Sequence, residues 1–340
     1  MSVPPTRARV VVLALGGTIA SSLASPEARG ITPSLGVANL LASIPALEMI
    51  ADVVGVDFRR MPSGDLTFVD LVALAGTIDD ALLAGAHGVV VIQGTDTLEE
   101  TAFALDLLVR ATGTVVVTGA MRSPHEVGHD GPSNILSAVR VAAAPRNDHV
   151  GTVVVMNDQI HAARFVRKTH STSPATFRSP SAGPLGWCIE GRVRWTSSVR
   201  PLADVGRPDV ARLDAVAILR LALGDDARLI ESLPGLGFAG AVIEGFGAGH
   251  VPARVVGALE TLARSMPVAL ASRTGAGEVL SSTYGYPGAE IDLLQRGLVS
   301  SGALDGLKGR VVLTLALAAH DDRLDALAAF SRVVASVAHE

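Results

Sequence analysis

The sequence predicts an α/β protein, with a doubly wound, mainly parallel sheet in an N-terminal domain and a smaller α/β domain behind it. Three observations carry this reading. Short β-branched runs alternate with longer segments of helical period. Runs such as Gly88–Ile92 (GVVVI) and Thr114–Thr118 (TVVVT) are apolar on both faces, as strands buried between two helical layers are. The alternation repeats as strand–helix–strand units, which imply right-handed crossovers.

Taken in order, the strand candidates are Arg9–Leu15, Val53–Arg59, Gly88–Ile92, Thr114–Thr118 and Thr152–Met156. Between them lie helix candidates at Gly36–Ser43, Thr67–Ala84, Thr97–Ala111 and Ser133–Ala144. In Thr97–Ala111 the apolar residues Leu98, Ala102, Leu105 and Val109 recur at helical spacing. The alternation lapses at 196–213, where two prolines and scattered charge read as a linker. Beyond it, AVAILRLAL, GAVIEGF and PVALAS read as strands, and Pro252–Ser265, Arg310–Ala319 and Asp321–Ala338 as helices. The expected organisation is therefore a catalytic α/β domain at 1–195, a linker at 196–213 and a C-terminal α/β domain at 214–340.

Composition narrows the function. Of 340 residues, 49% are apolar, enough for a large core, and only 4% are aromatic, so that core is aliphatic. The net charge of −5, without a basic run, favours neither nucleic acid nor an acidic membrane surface. The single cysteine, Cys188, allows no intrachain disulfide and fits a reducing, cytoplasmic setting. Arg7 and Arg9 before VVVLALGG resemble a short signal peptide, but the apolar run is brief and leads straight into a glycine loop. No run approaches the roughly 18–20 apolar residues of a membrane span.

In open parallel sheets, ligands sit at the carboxyl ends of strands. Three segments there carry chemistry. In GGTIA, Gly16 and Gly17 can take positive φ and let a ligand approach the backbone, which exposes Thr18. Neither the Walker lysine nor a third glycine at dinucleotide spacing is present. In GTDTLEE, Thr97 and Glu100 have the spacing of a capping box, which accounts for the helix start but leaves Thr95 and Asp96 unexplained. A hydroxyl beside a carboxylate could hold a substrate or relay a proton, and the helix N-terminus behind favours an anionic group. In FVRKTHSTSPATF, Lys168 stands among hydroxyl residues. Desolvated near Thr95 and Asp96, such a lysine could pull a proton from a threonine or a water. A Cys–His arrangement is poorly supported, since Cys188 in GWCIEG has no partner nearby. His125 and His129 flank an Asp-Gly-Pro helix start, and the histidines show no metal-ligand spacing.

Together these loops resemble the bacterial-type L-asparaginase family, also called asparaginase/glutaminase. GGTIA and GTDTLEETA match two family signatures. VVVTGAMR, DGPSN, VVVMND, KTHSTSPATF, GPLG, EGFGAGHVP and AEIDLLQRGLVSSG continue the match in order over most of the chain. The resemblance implies that L-asparagine is hydrolysed to L-aspartate and ammonia, with Thr18 as the nucleophile that forms an acyl-enzyme. It implies that Thr95, Asp96 and Lys168 form a second catalytic set. Asp96 would also grip the substrate α-ammonium, and Ser63 the α-carboxylate. Glu290 would reach the site from a neighbouring subunit, so the family's homodimers, paired into tetramers, set the expected assembly. Neither cofactor nor metal is expected, and a side activity on L-glutamine is open.

Four departures from the family pattern stand out. The loop after GGTIA lacks the family's tyrosine, and Ile31 falls about where it belongs. The chain's two tyrosines, Tyr284 and Tyr286, lie just before Glu290 and are candidate phenol donors in its place. Gln93 stands where the family has histidine, Gly64 replaces a polar residue after the substrate-binding serine, and Ala248 replaces an asparagine or serine. Each of these three removes a possible hydrogen bond of about 0.5–1.5 kcal/mol, from which weaker substrate binding is expected. Two other functions stay open at this point. One is the asparaginase-like subunit of a tRNA-dependent amidotransferase, which usually carries an extra domain ahead of the GGT loop, where this chain has 15 residues. The other is a non-catalytic amino-acid sensor on the same fold.

Overall fold

The structure, a computed structural model, describes residues 7–17, 19, 21–23, 31–33, 36–145, 147 and 150–337. The chain divides into two compact units, with the boundary between Pro201 and Leu202. Residues between the last strand of the first unit and the first strand of the second carry no regular structure beyond a 3-10 turn at Val210–Arg212.

The first unit runs β1 (Arg9–Ala14), β2 (Ser21–Leu23), β3 (Ile31–Pro33), α1 (Val37–Ala42), β4 (Asp52–Asp57), α2 (Phe68–Leu83), β5 (Gly88–Ile92), α3 (Leu98–Leu108), β6 (Thr114–Thr118), α4 (Gly131–Ala143) and β7 (Val153–Met156). It continues with β8 (Gln159–Ala162), β9 (Arg167–Lys168), β10 (Phe177–Arg178), β11 (Gly186–Ile189) and β12 (Arg192–Trp195). Its eight-stranded sheet has the order β12-β11-β8-β7-β6-β5-β1-β4. The five strands from β4 to β7 are parallel, while β8, β11 and β12 add an antiparallel edge. That edge was not foreseen, because its strands are only four residues long and mix polar with apolar positions.

Strand periodicity sets the two faces. Val10, Val12, Ala14, Val90, Ile92 and Val116 pack in one core with Val37 and Leu40 of α1 and Ile135, Ala138 and Val139 of α4. The alternate residues Val11, Leu13, Val89, Val91, Val115 and Val117 are also buried. They face the opposite layer, where α2 and α3 pack on each other and on β5 and β6. A sheet covered on both sides is what the continuous apolar runs require.

Element ends depart from expectation for identifiable reasons. α3 stops at Leu108 rather than Ala111, because Asp79 Oδ1 captures the amides of Arg110 (2.9 Å) and Ala111 (2.7 Å). α4 starts two residues early, at Gly131, since Pro132 is tolerated in a first turn. The capping box expected at Thr97 and Glu100 is not formed. Thr97 has φ −116° and ψ 16°, and its side chain makes no cap hydrogen bond. Instead its hydroxyl donates to Ser63 O at 2.8 Å. A true capping box does open α2, between Thr67 and Asp70.

The second unit runs β13 (Val216–Arg220), α5 (Arg228–Ser232), β14 (Gly240–Gly245), α6 (Val256–Ser265), β15 (Val268–Ser272), α7 (Glu290–Gln295), β16 (Val299–Ser300), α8 (Gly306–Ala319) and α9 (Arg323–Val337). Its four strands are parallel, in the order β13-β14-β15-β16. α8 begins four residues before the expected Arg310, because Asp305 caps it by accepting from Lys308 N at 3.0 Å. The chain thus has the α/β architecture read from its sequence: a large, mainly parallel, doubly wound sheet and a smaller parallel one. No helix among the described residues is long and apolar enough to cross a membrane.

Candidate active site

Three loops meet at the carboxyl ends of β1, β5 and β6, and glycines let them stack. Gly16 and Gly17 hold φ of 102° and 91°, the left-handed region open to residues without Cβ. A Cβ on Gly17 would lie 2.2 Å from Gly94 N, one on Gly94 would lie 2.8 Å from Ser63 Oγ, and one on Gly119 would lie 2.6 Å from Gln93 O. Backbone bonds join the same edge, from Leu15 N to Ile92 O (2.8 Å), Gln93 N to Thr118 O (3.1 Å) and Met61 N to Leu15 O (3.1 Å). Thr18 itself lies outside the described residues.

Lys168 occupies β9, paired with β10 so that Lys168 stands opposite Phe177. The loop between them is pinned by Thr176, whose hydroxyl accepts from His170 N at 2.6 Å and donates to His170 O at 2.5 Å. This short hairpin carries the Lys168 ammonium to 2.9 Å from Thr95 Oγ1 and 2.7 Å from Asp96 Oδ1. The surroundings are uneven. Thr95 is buried, the Lys168 side chain is 16% exposed, and the Asp96 side chain is 79% exposed. Asp96 therefore neutralises the lysine on one side and stays open to a cationic ligand on the other. The structure brings Thr95, Asp96 and Lys168 together, residues that sequence inspection could only suggest as neighbours.

Ser63 starts a 3-10 turn and is buried, and its Oγ has no hydrogen-bond partner among the described residues. An orphaned buried hydroxyl asks for a partner from outside. Gln93 is fully buried. Its Nε2 donates to Gly94 O at 3.3 Å, and its Oε1 has no partner among the described residues. A Cβ at Gly64 would meet nothing within 4 Å, so no crowding dictates glycine there.

Sequence reasoning missed the groups that hold the third loop. Asp130 accepts from Met121 N (3.1 Å) and Arg122 N (2.9 Å). Asn134 donates to Gly119 O (3.0 Å) and Asp130 Oδ2 (3.1 Å), and it accepts from Asn157 N (3.0 Å). In the sequence DGPSN reads as a helix start and as one segment of the family match, with no role assigned to Asp130 or Asn134. Its spacing of four brings Asp130, at the N-cap, beside Asn134 in the first turns of α4, and that was the available signal.

The remaining candidates fall elsewhere. Glu290, Tyr284 and Tyr286 belong to the second unit. Glu290 is fully buried, and its Oε1 accepts from Thr283 N (2.9 Å) and Tyr284 N (2.7 Å). Burial pushes its pKa up, but the backbone amides, with Tyr284 first, and the His250 ring outweigh this and hold the carboxyl below its ordinary range. Both tyrosine rings are exposed. Ala248 is half-buried in the turn ahead of His250. Cys188 lies on β11 with its thiol toward Ser137 O, and burial pushes its pKa up, the opposite of an activated nucleophile. Among the described residues no group of His, Cys, Asp or Glu could hold a metal ion.

Comparison with known proteins identifies the family. A family model described as "Asparaginase, N-terminal" matches residues 9–200, and one described as "Glutaminase/Asparaginase C-terminal domain" matches residues 215–330. The chain is 35% identical over 314 residues to a Haemophilus influenzae protein named "Probable L-asparaginase periplasmic", covering 91% of this chain and 88% of that one. It is 34% identical over 315 residues to "L-asparaginase 2" of Escherichia coli, again covering 91% and 88%. A crystal structure titled as a probable cytoplasmic L-asparaginase from Campylobacter jejuni superposes with a TM-score of 0.85. It shares 31% identity, and the match covers 96% of this chain and all of that one. Two family models that together span most of the chain, relatives matched over nearly their full length and a shared fold lead to one conclusion: the chain belongs to the bacterial-type asparaginase/glutaminase family and is a hydrolase acting on amide bonds.

Proposed function

We propose that the protein hydrolyses L-asparagine to L-aspartate and ammonia through an acyl-enzyme on Thr18. The observation that carries this is the Lys168 ammonium held against both Thr95 Oγ1 and Asp96 Oδ1 at the carboxyl edge of the sheet. A family that cleaves carboxamides needs an activated hydroxyl, and two hydroxyls on adjacent loops divide the work. Thr18 attacks the side-chain amide carbon, its C–O bond forms, and the C–N bond breaks as ammonia leaves with the transferred proton. Thr95, held by Lys168, then directs a water onto the ester carbon: the water oxygen bonds there, the Thr18 C–O bond breaks, a water proton returns to Thr18 and aspartate is freed. Amides of the stacked glycine loops stabilise the oxyanion in both steps, an effect worth about 3–4 kcal/mol per donor.

Substrate recognition follows the charges. The exposed Asp96 carboxylate takes the α-ammonium, and the orphaned Ser63 hydroxyl takes the α-carboxylate. Glu290 belongs to the share that a neighbouring subunit brings to the site, where it acts from behind its own backbone amides and His250, which makes the working unit at least a dimer, with a dimer of dimers as the complete assembly. Tyr284 or Tyr286 arrives with it as the phenol donor. L-Glutamine is a side substrate, since one methylene changes pocket fit by only about 1–3 kcal/mol. Relatives carry both cytoplasmic and periplasmic names, and the lone cysteine favours the cytoplasm here.

The test is ammonia release from L-asparagine, L-glutamine and D-asparagine by the purified protein, beside Thr18→Ala. L-Asparagine turnover that vanishes in the variant is the expected result. A wild-type protein that binds asparagine and releases no ammonia would instead be an amino-acid sensor.

A further inference from the structure

The second unit holds a chain of three polar side chains with a defined direction. Glu290 Oε1 is taken by two backbone amides, and its Oε2 lies 3.2 Å from His250 Nε2. The other ring nitrogen, His250 Nδ1, lies 3.1 Å from the Tyr286 hydroxyl. An ionised carboxylate only accepts, so Nε2 carries the imidazole proton and Nδ1 is left as the acceptor. Tyr286 therefore donates to His250, and His250 donates to Glu290.

The surrounding backbone fixes this order. His250 is tied back by reciprocal bonds with Phe246, at 2.9 Å from its N to Phe246 O and 2.7 Å from Phe246 N to its O. Tyr286 O accepts from Ala289 N at 2.8 Å, and Val251 N donates to Gly288 O at 2.8 Å. Gly288 holds φ of 90°, and a Cβ there would lie 2.3 Å from Val251 O, so the turn that delivers Tyr286 demands glycine. The Tyr284 ring stands edge-on to the imidazole, with centroids 5.0 Å apart and an interplanar angle of 84°, and serves as its wall. Against the imidazole lie Glu290, Tyr284 and Tyr286. A buried carboxylate, an oriented imidazole and a half-exposed hydroxyl form the order of a nucleophile-activating triad, with a phenol in the place of the nucleophile.

We propose that Tyr286 is the phenol that takes the proton of Thr18 in the neighbouring subunit, and that His250 and Glu290 are its relay. This rests on the asparaginase reading above, in which Glu290 serves a neighbour's site. In the first step the Thr18 oxygen bonds to the amide carbon, and its proton passes to the Tyr286 oxygen. The phenol's own proton moves to His250 Nδ1, and the imidazolium is balanced by the Glu290 carboxylate. When the tetrahedral adduct collapses, His250 returns its proton to Tyr286. The phenol passes one to the departing nitrogen, and ammonia leaves with both protons accounted for. The exposure of both tyrosine rings suits a surface that a second copy of the chain covers.

The experiment compares wild type, Thr18→Ala, Tyr286→Phe, Tyr284→Phe and His250→Gln, with kcat, KM and the pH profile of kcat/KM for ammonia release, and Tm as a folding control. Expected for Tyr286→Phe is a kcat loss of about 10²-fold or more, within the usual range for acid–base groups, at a KM within threefold and an unchanged Tm. Tyr284→Phe should stay within tenfold. His250→Gln should lower kcat at least tenfold and displace the acid limb of the profile, a change that lost packing alone would not produce. A Tyr286→Phe protein within tenfold of wild type, or an unmoved acid limb in His250→Gln, overturns the relay. If that happens while Thr18→Ala is dead, only the relay falls. If wild type releases no ammonia, or Thr18→Ala keeps its rate, the parent reading falls with it.

Discussion

Gly17 and Gly94 stand backbone against backbone at the carboxyl edge of the sheet, so close that a methyl group on Gly17 would lie 2.2 Å from the Gly94 amide nitrogen. Gly17 also holds φ of 91°, where a side chain is strained in its own right. The GGT and GTDT loops can be neighbours because Gly17 lacks a side chain, whereas a Cβ on Gly94 would crowd Ser63 Oγ at 2.8 Å. Gly17→Ala is therefore expected to lower Tm and to cut kcat by about 10²-fold, the usual penalty for misplacing a reacting group by an ångström. Gly64→Ala is the control, since its Cβ meets nothing, and its Tm should stay within about 2 °C of wild type. A Gly17→Ala enzyme with normal kcat would show that the two loops need not touch.

Lys168 carries the second half of the proposed reaction. Removing its ammonium while keeping a flexible apolar stem, in Lys168→Met, is expected to lower kcat by about 10³-fold, and Thr95→Ala by a similar factor. The double variant should be little worse than either single one, because both act on the same proton. Steady-state kinetics on L-asparagine checks this, and a Lys168→Met protein that keeps most of its rate removes the lysine from the relay.

Thr97 links two loops that sequence reading treated separately. Its hydroxyl donates to Ser63 O at 2.8 Å, so Thr97→Val should lose about 0.5–1.5 kcal/mol of stability in urea. The loosened Ser63 turn should raise KM several-fold with a smaller effect on kcat. A variant with unchanged urea midpoint and KM would mean that the bond holds nothing in place.

His161 supplies a pH signature. It is 1% exposed on β8 and lies 3.0 Å from Ser179 Oγ, and burial pulls its pKa from 6.5 to about 4. Between those values the unfolded chain binds a proton that the folded chain refuses, so folding stability rises with pH across the window. The contribution is complete above about pH 6.5 and is lost as pH falls toward 4, with a ceiling of about 3 kcal/mol. His161→Asn should flatten that part of the profile in urea unfolding at pH 4.5 and 7. An equally steep profile in the variant would place the titration elsewhere.

Much of the fold was legible because its signals are local. Val89–Ile92 and Val115–Val117 are apolar at every position, which only a strand covered on both faces tolerates. The helices after them show their period within a dozen residues. The glycine-threonine loops could be read the same way, as strand ends where side chains are absent and a hydroxyl follows. Boundaries were less legible, because they depend on distant captures such as Asp79 holding the amides of Arg110 and Ala111. The antiparallel edge of β8, β11 and β12 was invisible for a related reason: strands of four mixed residues gain their identity from the neighbour they pair with.

By itself, then, the sequence determined the α/β class, the order of its layers and the residue types available for amide chemistry, since periodicity and composition act along the chain. Only the tertiary structure decided which of those residues meet. Lys168 and Thr95 are 73 positions apart and Thr97 and Ser63 are 34 apart, and His250 reaches Glu290 across 40. No local pattern encodes such distances. They follow from strand order and from the few glycines that let backbones touch, and a hydrogen bond exists only where that packing brings donor and acceptor within about 3 Å.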